Sequence, residues 1–106
     1  MYQTITPGEL EEKIRRGEKF RLIDVREPLE HEMARIETAE LLPMSRAGDW
    51  VGELKPEEEI VFFCHHGGRS AQVCEYLSRQ GFQNLYNLAG GIDLYSVEID
   101  KNIPRY

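Results

Sequence analysis

The sequence predicts an α/β fold, a parallel sheet flanked by helices on both faces. Three observations predict it. The short apolar runs at residues 20–25 and 59–63 have the length of strands and the continuous apolar character of strands buried on both sides. Segments with helical spacing lie between such runs, opened by Thr6-Pro7 and Pro28 and closed by Gly17 and Gly81. Strand and helix alternate along the chain, which is the order that builds a parallel sheet with crossover helices.

Taken in order, Thr4 to Pro7 resembles a helix start, with Thr6 as the cap, Pro7 at the first helical position and Glu9 in the first turn. Leu10 and Ile14 then share one face, and Gly17 ends the helix. Residues 20–25 form a strand, and Pro28 opens a short helix reaching Arg35. Residues 40–42 form a brief strand stopped by Pro43, and residues 45–54 carry one or two helical turns. Residues 59–63 are the clearest buried strand. The loop Cys64 to Ser70 follows it directly, and residues 70–80 form a helix with Ala71, Cys74 and Leu77 on one face. A last strand at 85–88 leads through Gly90-Gly91 into a helical stretch at 92–97.

With 106 residues the chain fits one domain, 1–106, able to bury a core without metal or disulfides. Hydrophobic residues at 41% and charged residues at 30% give a globular, not a disordered, composition. A net charge of −6 argues against nucleic acid as a partner, and no apolar run approaches the length that spans a membrane. Residues 1–10 show no basic patch followed by an apolar stretch, so the expected location is the cytoplasm. Two cysteines are too few for a disulfide scaffold. Cys64 and Cys74 stand ten residues apart on a loop and its following helix, and a helix rises about 1.5 Å per residue, so both read as reduced thiols.

Ligands of an open α/β sheet bind beyond the carboxyl ends of its strands. Cys64 stands at that place, just before a helix whose first amides and dipole favour an anion. Gly67 and Gly68 permit a backbone that folds amides inward, and Arg69 adds a permanent charge at the rim. A basic residue at a helix start opposes the dipole, and an unfavourable charge beside an anion site points to function. Together these groups favour a Cys64 thiolate, the nucleophilic form of the side chain. Asp24, at the end of a central strand, either holds the loop amides or Arg69, or serves as a local cap or ion pair. Cys74 reads as core, and Trp50 as pocket wall or core.

At Phe63-Cys64-His65-His66-Gly67-Gly68-Arg69-Ser70 the chain resembles the active-site loop of the rhodanese-like family. Leu22 to Pro28 is similar to that family's first signature. Ile36-Glu37-Thr38-Ala39 with Leu42-Pro43, Gln80-Gly81-Phe82, and Leu88 to Ile92 are similar to its later segments, in the same order. Thr38 replaces a usual Gly and Tyr95 a common Trp. The resemblance implies a five-stranded parallel sheet and a single-domain sulfurtransferase of the thiosulfate type. Cys64 would take sulfane sulfur from a small anionic donor such as thiosulfate as a persulfide and pass it to cyanide, a thiol or a protein thiol. His65, His66, Gly67, Gly68, Arg69 and Ser70 would bind the substrate and no cofactor would be required.

Three rival readings stand beside it. A phosphatase loop of related fold has five residues between Cys and Arg, whereas four stand here, His65 to Gly68, a ring sized for one sulfur atom. A persulfide carrier working only with protein partners shares the motif, because fold and motif do not fix the partner. A metal site is disfavoured, since Cys64, His65 and His66 are adjacent, His31 is distant, and zinc takes ligands at wider spacing.

Overall fold

The computed structural model describes every residue from Met1 to Tyr106. Five strands, β1 (Gln3–Ile5), β2 (Arg21–Asp24), β3 (Glu40–Leu41), β4 (Ile60–Phe63) and β5 (Leu85–Leu88), form one sheet in the order β1-β5-β4-β2-β3. Every pairing is parallel. The helices are α1 (Pro7–Arg15), α2 (Pro28–Met33), α3 (Ala47–Trp50), α4 (Gly68–Arg79) and α5 (Gly91–Glu98). The longest helix has 12 residues, and no helix is long and apolar enough to cross a membrane.

The strands sort the core into two layers because successive side chains point to opposite faces. Ile60, Phe62 and Cys64 pack with Val73, Cys74 and Leu77 of α4 and with Trp50. Val61 and Phe63 pack on the other side with Leu10 of α1 and Ile92 and Tyr95 of α5. Trp50 therefore belongs to the core, and its indole N–H donates to the Pro43 carbonyl at 2.8 Å.

Where sequence and structure differ, packing explains it. Residues Gln3–Ile5 are a strand rather than the lead-in to a helix, because β5 offers them a free parallel edge in the register Gln3↔Tyr86. The helix cap is as expected: the Glu9 amide donates to Thr6 Oγ1 at 3.1 Å and the Thr6 amide to Glu9 Oε1 at 2.9 Å. Helix α4 begins at Gly68, two residues earlier than residue 70, so Arg69 lies in its first turn.

Candidate active site

Cys64 leaves β4 on the face covered by α4, and the chain turns at once into that helix. The turn is made by Gly67, the helix cap, at φ +113°, a conformation that L side chains adopt only under strain. It aims the Gly67 amide at Cys64 Sγ, 3.1 Å away, and brings the Ser70 amide to 3.5 Å and the Ser70 hydroxyl to 3.4 Å. Gly68 contributes less than expected: it is an ordinary helical residue with open space where a side chain would start. The Ser70 hydroxyl has one proton and three acceptors in reach, Sγ, the Gly67 carbonyl and Asn87 Oδ1. Asn87 in turn donates its amide to the Gly67 carbonyl at 3.1 Å. Sequence reasoning missed Asn87, whose signal is a polar residue inside an otherwise apolar strand.

The loop is held from behind by α5. The amides of Ile92 and Asp93 donate to the carbonyls of Cys64 and His65 at 2.9 and 3.1 Å. Those two carbonyls are thereby tied to α5, while the amides that meet the sulfur come from Gly67 and Ser70 further along the loop. The approach demands Gly91: a Cβ there would meet the His65 carbonyl oxygen at 2.3 Å, and its φ is +62°.

Burial pushes the Cys64 thiol up, but the Ser70 hydroxyl and the amides of Ser70, Gly67 and Arg69 outweigh it and hold the thiol below its ordinary value. Cys64 is 1% exposed, so little of its surface meets solvent.

The rim differs from the expectation of a free Arg69. Its guanidinium forms a two-pronged ion pair with Glu30 of α2, at 2.7 and 2.9 Å. The Arg69 hydrogen bonds, set against partial burial, bring the Glu30 carboxyl down to about 2. Asp24 reaches neither the loop amides nor Arg69. It lies on the strand parity of Leu22, opposite Cys64, and accepts from Arg26 Nε at 2.9 Å, from the second Arg26 prong at 2.7 Å and from His31 Nδ1 at 2.9 Å. Its part is the local ion pair.

Tyr106 closes the cluster. Its hydroxyl accepts from Arg26 at 2.8 Å and donates to Glu30 Oε2 at 3.0 Å. Its ring stacks on His65 at 4.1 Å, and His65 stacks on His66 at 4.0 Å. Desolvation and neighbouring His66 hold the His65 imidazole below its ordinary value, favouring the neutral ring. His65, His66 and Asp93 of α5 bring ligand-type atoms within 4.8 Å of one another. Asp93 is nevertheless engaged by Arg105 at 2.9 and 3.1 Å, and stacked imidazoles do not aim their lone pairs at one point.

Comparison with known proteins decides the family. The model of the rhodanese-like domain matches residues 6–98. The chain belongs to the rhodanese-like family. This rhodanese-like domain is 34% identical over 92 residues to a protein of Allochromatium vinosum named a sulfurtransferase, covering 87% of this chain and 86% of that one. It is 41% identical over 93 residues to the rhodanese-like/PpiC domain-containing protein 12 of Arabidopsis thaliana, covering 84% of this chain. There it spans only 31% of the relative's length. A crystal structure of a rhodanese-like domain protein from Staphylococcus aureus superposes with a TM-score of 0.82 at 30% identity, over 98% of both chains. The parallel sheet and flanking helices are those of that fold.

Proposed function

We propose that residues 1–106 act as a sulfurtransferase domain in which Cys64 carries sulfane sulfur as a persulfide. One observation supports it most directly: the Gly67 and Ser70 amides and the Ser70 hydroxyl converge on Sγ. Donors fixed in place around a covered anion stabilise it far more than mobile water does. The Cys64 thiolate attacks the outer sulfur of a donor such as thiosulfate. The Sγ–S bond forms, the donor's S–S bond breaks, and sulfite leaves with the electron pair. A thiophilic acceptor, cyanide or a thiol, then takes the outer sulfur and restores the thiolate. His65, His66, Gly67, Gly68, Arg69 and Ser70 form the binding loop, and the chemistry requires no cofactor. A reducing compartment such as the cytoplasm suits a site that depends on a free thiolate.

A carrier that exchanges sulfur only with protein partners is the second reading, since fold and loop do not fix the partner. Incubation with thiosulfate followed by intact mass measurement tests the class. The expected result is a gain of one sulfur in the parent and none in Cys64→Ser. Undiminished loading of Cys64→Ser ends the mechanism.

A further inference from the structure

Three guanidiniums surround the loop, and each already has a carboxylate. Arg26 is paired with Asp24, Arg69 with Glu30, and Arg105 with Asp93. The pairs are two-pronged, so the charge of each guanidinium and two of its five donors are already engaged. The donors left without a carboxylate partner are the amides facing Sγ. A dianionic donor therefore meets no unmatched cation at the mouth, on a chain whose net charge is −6. Glu30 is also not free to swing away, because the Tyr106 hydroxyl and the Glu27 amide both donate to it, each at 3.0 Å.

We infer that Glu30, fixed by Tyr106, is a specificity-determining residue: it occupies Arg69 in advance, and so selects a thiol-bound persulfide, R–S–SH, over a dianionic donor such as thiosulfate. This rests on the sulfur-transfer reading above. With such a donor the Cys64 thiolate attacks the outer sulfur, the donor's S–S bond breaks, and the leaving thiolate R–S⁻ takes the donor's proton. The products are Cys64–S–S⁻ and R–SH, with no other oxidant or reductant. No second negative charge has to be accommodated at any point, so Arg69 can stay with Glu30 throughout.

The test compares second-order rates of Cys64 loading, read by intact mass, for thiosulfate and for 2-mercaptoethanol persulfide. Glu30→Gln keeps the shape and removes the charge, leaving Arg69 unmatched. One charge-assisted contact is worth about tenfold, so thiosulfate loading should rise by about that factor while persulfide loading moves less than about threefold. Tyr106→Phe keeps Glu30 but removes its clamp and should shift the ratio the same way by about threefold; it decides the matter if Glu30→Gln does not fold. An unchanged donor ratio in the folded variants overturns the role of Glu30 and leaves sulfur transfer standing. Loading by neither donor in the parent overturns the sulfur-transfer reading itself, and this inference with it.

Discussion

The two thiols of this chain share one depth of burial and differ in what surrounds the sulfur. Cys64 is 1% exposed and Cys74 is 0% exposed, and both lie in the same core cluster between the sheet and α4. Burial alone pushes the Cys74 thiol up to about 12, and its sulfur finds one weak acceptor, the Tyr86 carbonyl at 3.7 Å. Cys64 feels the same desolvation, yet its titration moves the other way because amides and a hydroxyl donate to it. The difference lies in which end of the backbone faces the sulfur. Beside Cys74 the helix amides are spent on its own ladder; beside Cys64 the first amides of α4 have no helical partner. Covered sulfur becomes a nucleophile only where unspent N–H groups meet it.

That comparison can be broken or sharpened by substitution. The largest expected effect is in Cys64→Ser, which removes all sulfur loading while the circular dichroism of the fold is kept; loading retained in that variant would overturn Cys64 as the carrier. Gly91→Ala comes next. A methyl group driven against the His65 carbonyl should cost about 2–5 kcal/mol, measured as a lower urea midpoint, and should slow loading as the amides lose their aim. Ser70→Ala keeps the amide and deletes the hydroxyl, moving Cys64 partway toward the condition of Cys74. Since the donors lower the Cys64 value, their loss raises it: the rate against pH should shift to higher pH, with about tenfold slower loading at neutrality. An unmoved profile would mean that the amides alone set the thiolate. Cys74→Ser should cost about 1–2 kcal/mol and leave the loading rate within about twofold.

Acid adds a smaller test at the rim. Glu30 titrates at about 2 instead of its ordinary 4.5. A carboxyl lowered by folding contributes stability that is complete above its unfolded value and lost as pH falls through the folded one. Stability should therefore decline between pH 4.5 and about 2 in the parent, and less steeply in Glu30→Gln, by chemical denaturation across that range.

Much of this was legible in the sequence because local rules and packing agree. The buried runs of β2 and β4, the cap at Thr6 and the loop opening α4 each announce themselves within a few residues. What stayed hidden depends on distant partners. Strand β1 is three residues long and polar at two of them, and becomes a strand only because β5 waits for it. Arg69 reads as a charge beside an anion site, but its partner Glu30 lies 39 residues upstream in a short helix, where nothing in the sequence marks it. Glu30 Oε1 also accepts from the Glu27 amide. For Asp24 the sequence leaves open a loop contact or a local ion pair, and strand parity decides for the pair with Arg26 on the opposite face.

The clasp of α5 on the loop has a consequence for the newborn chain. The ribosome delivers Cys64 well before Gly91, and β1 is made first yet cannot pair until Tyr86 exists. At about 5–20 residues per second the cysteine spends a second or more in an unfinished chain, with its peptide bonds not yet set and its acidity that of an ordinary free thiol. The lowered Cys64 value is thus reached only once α5 has been made and has closed on the loop.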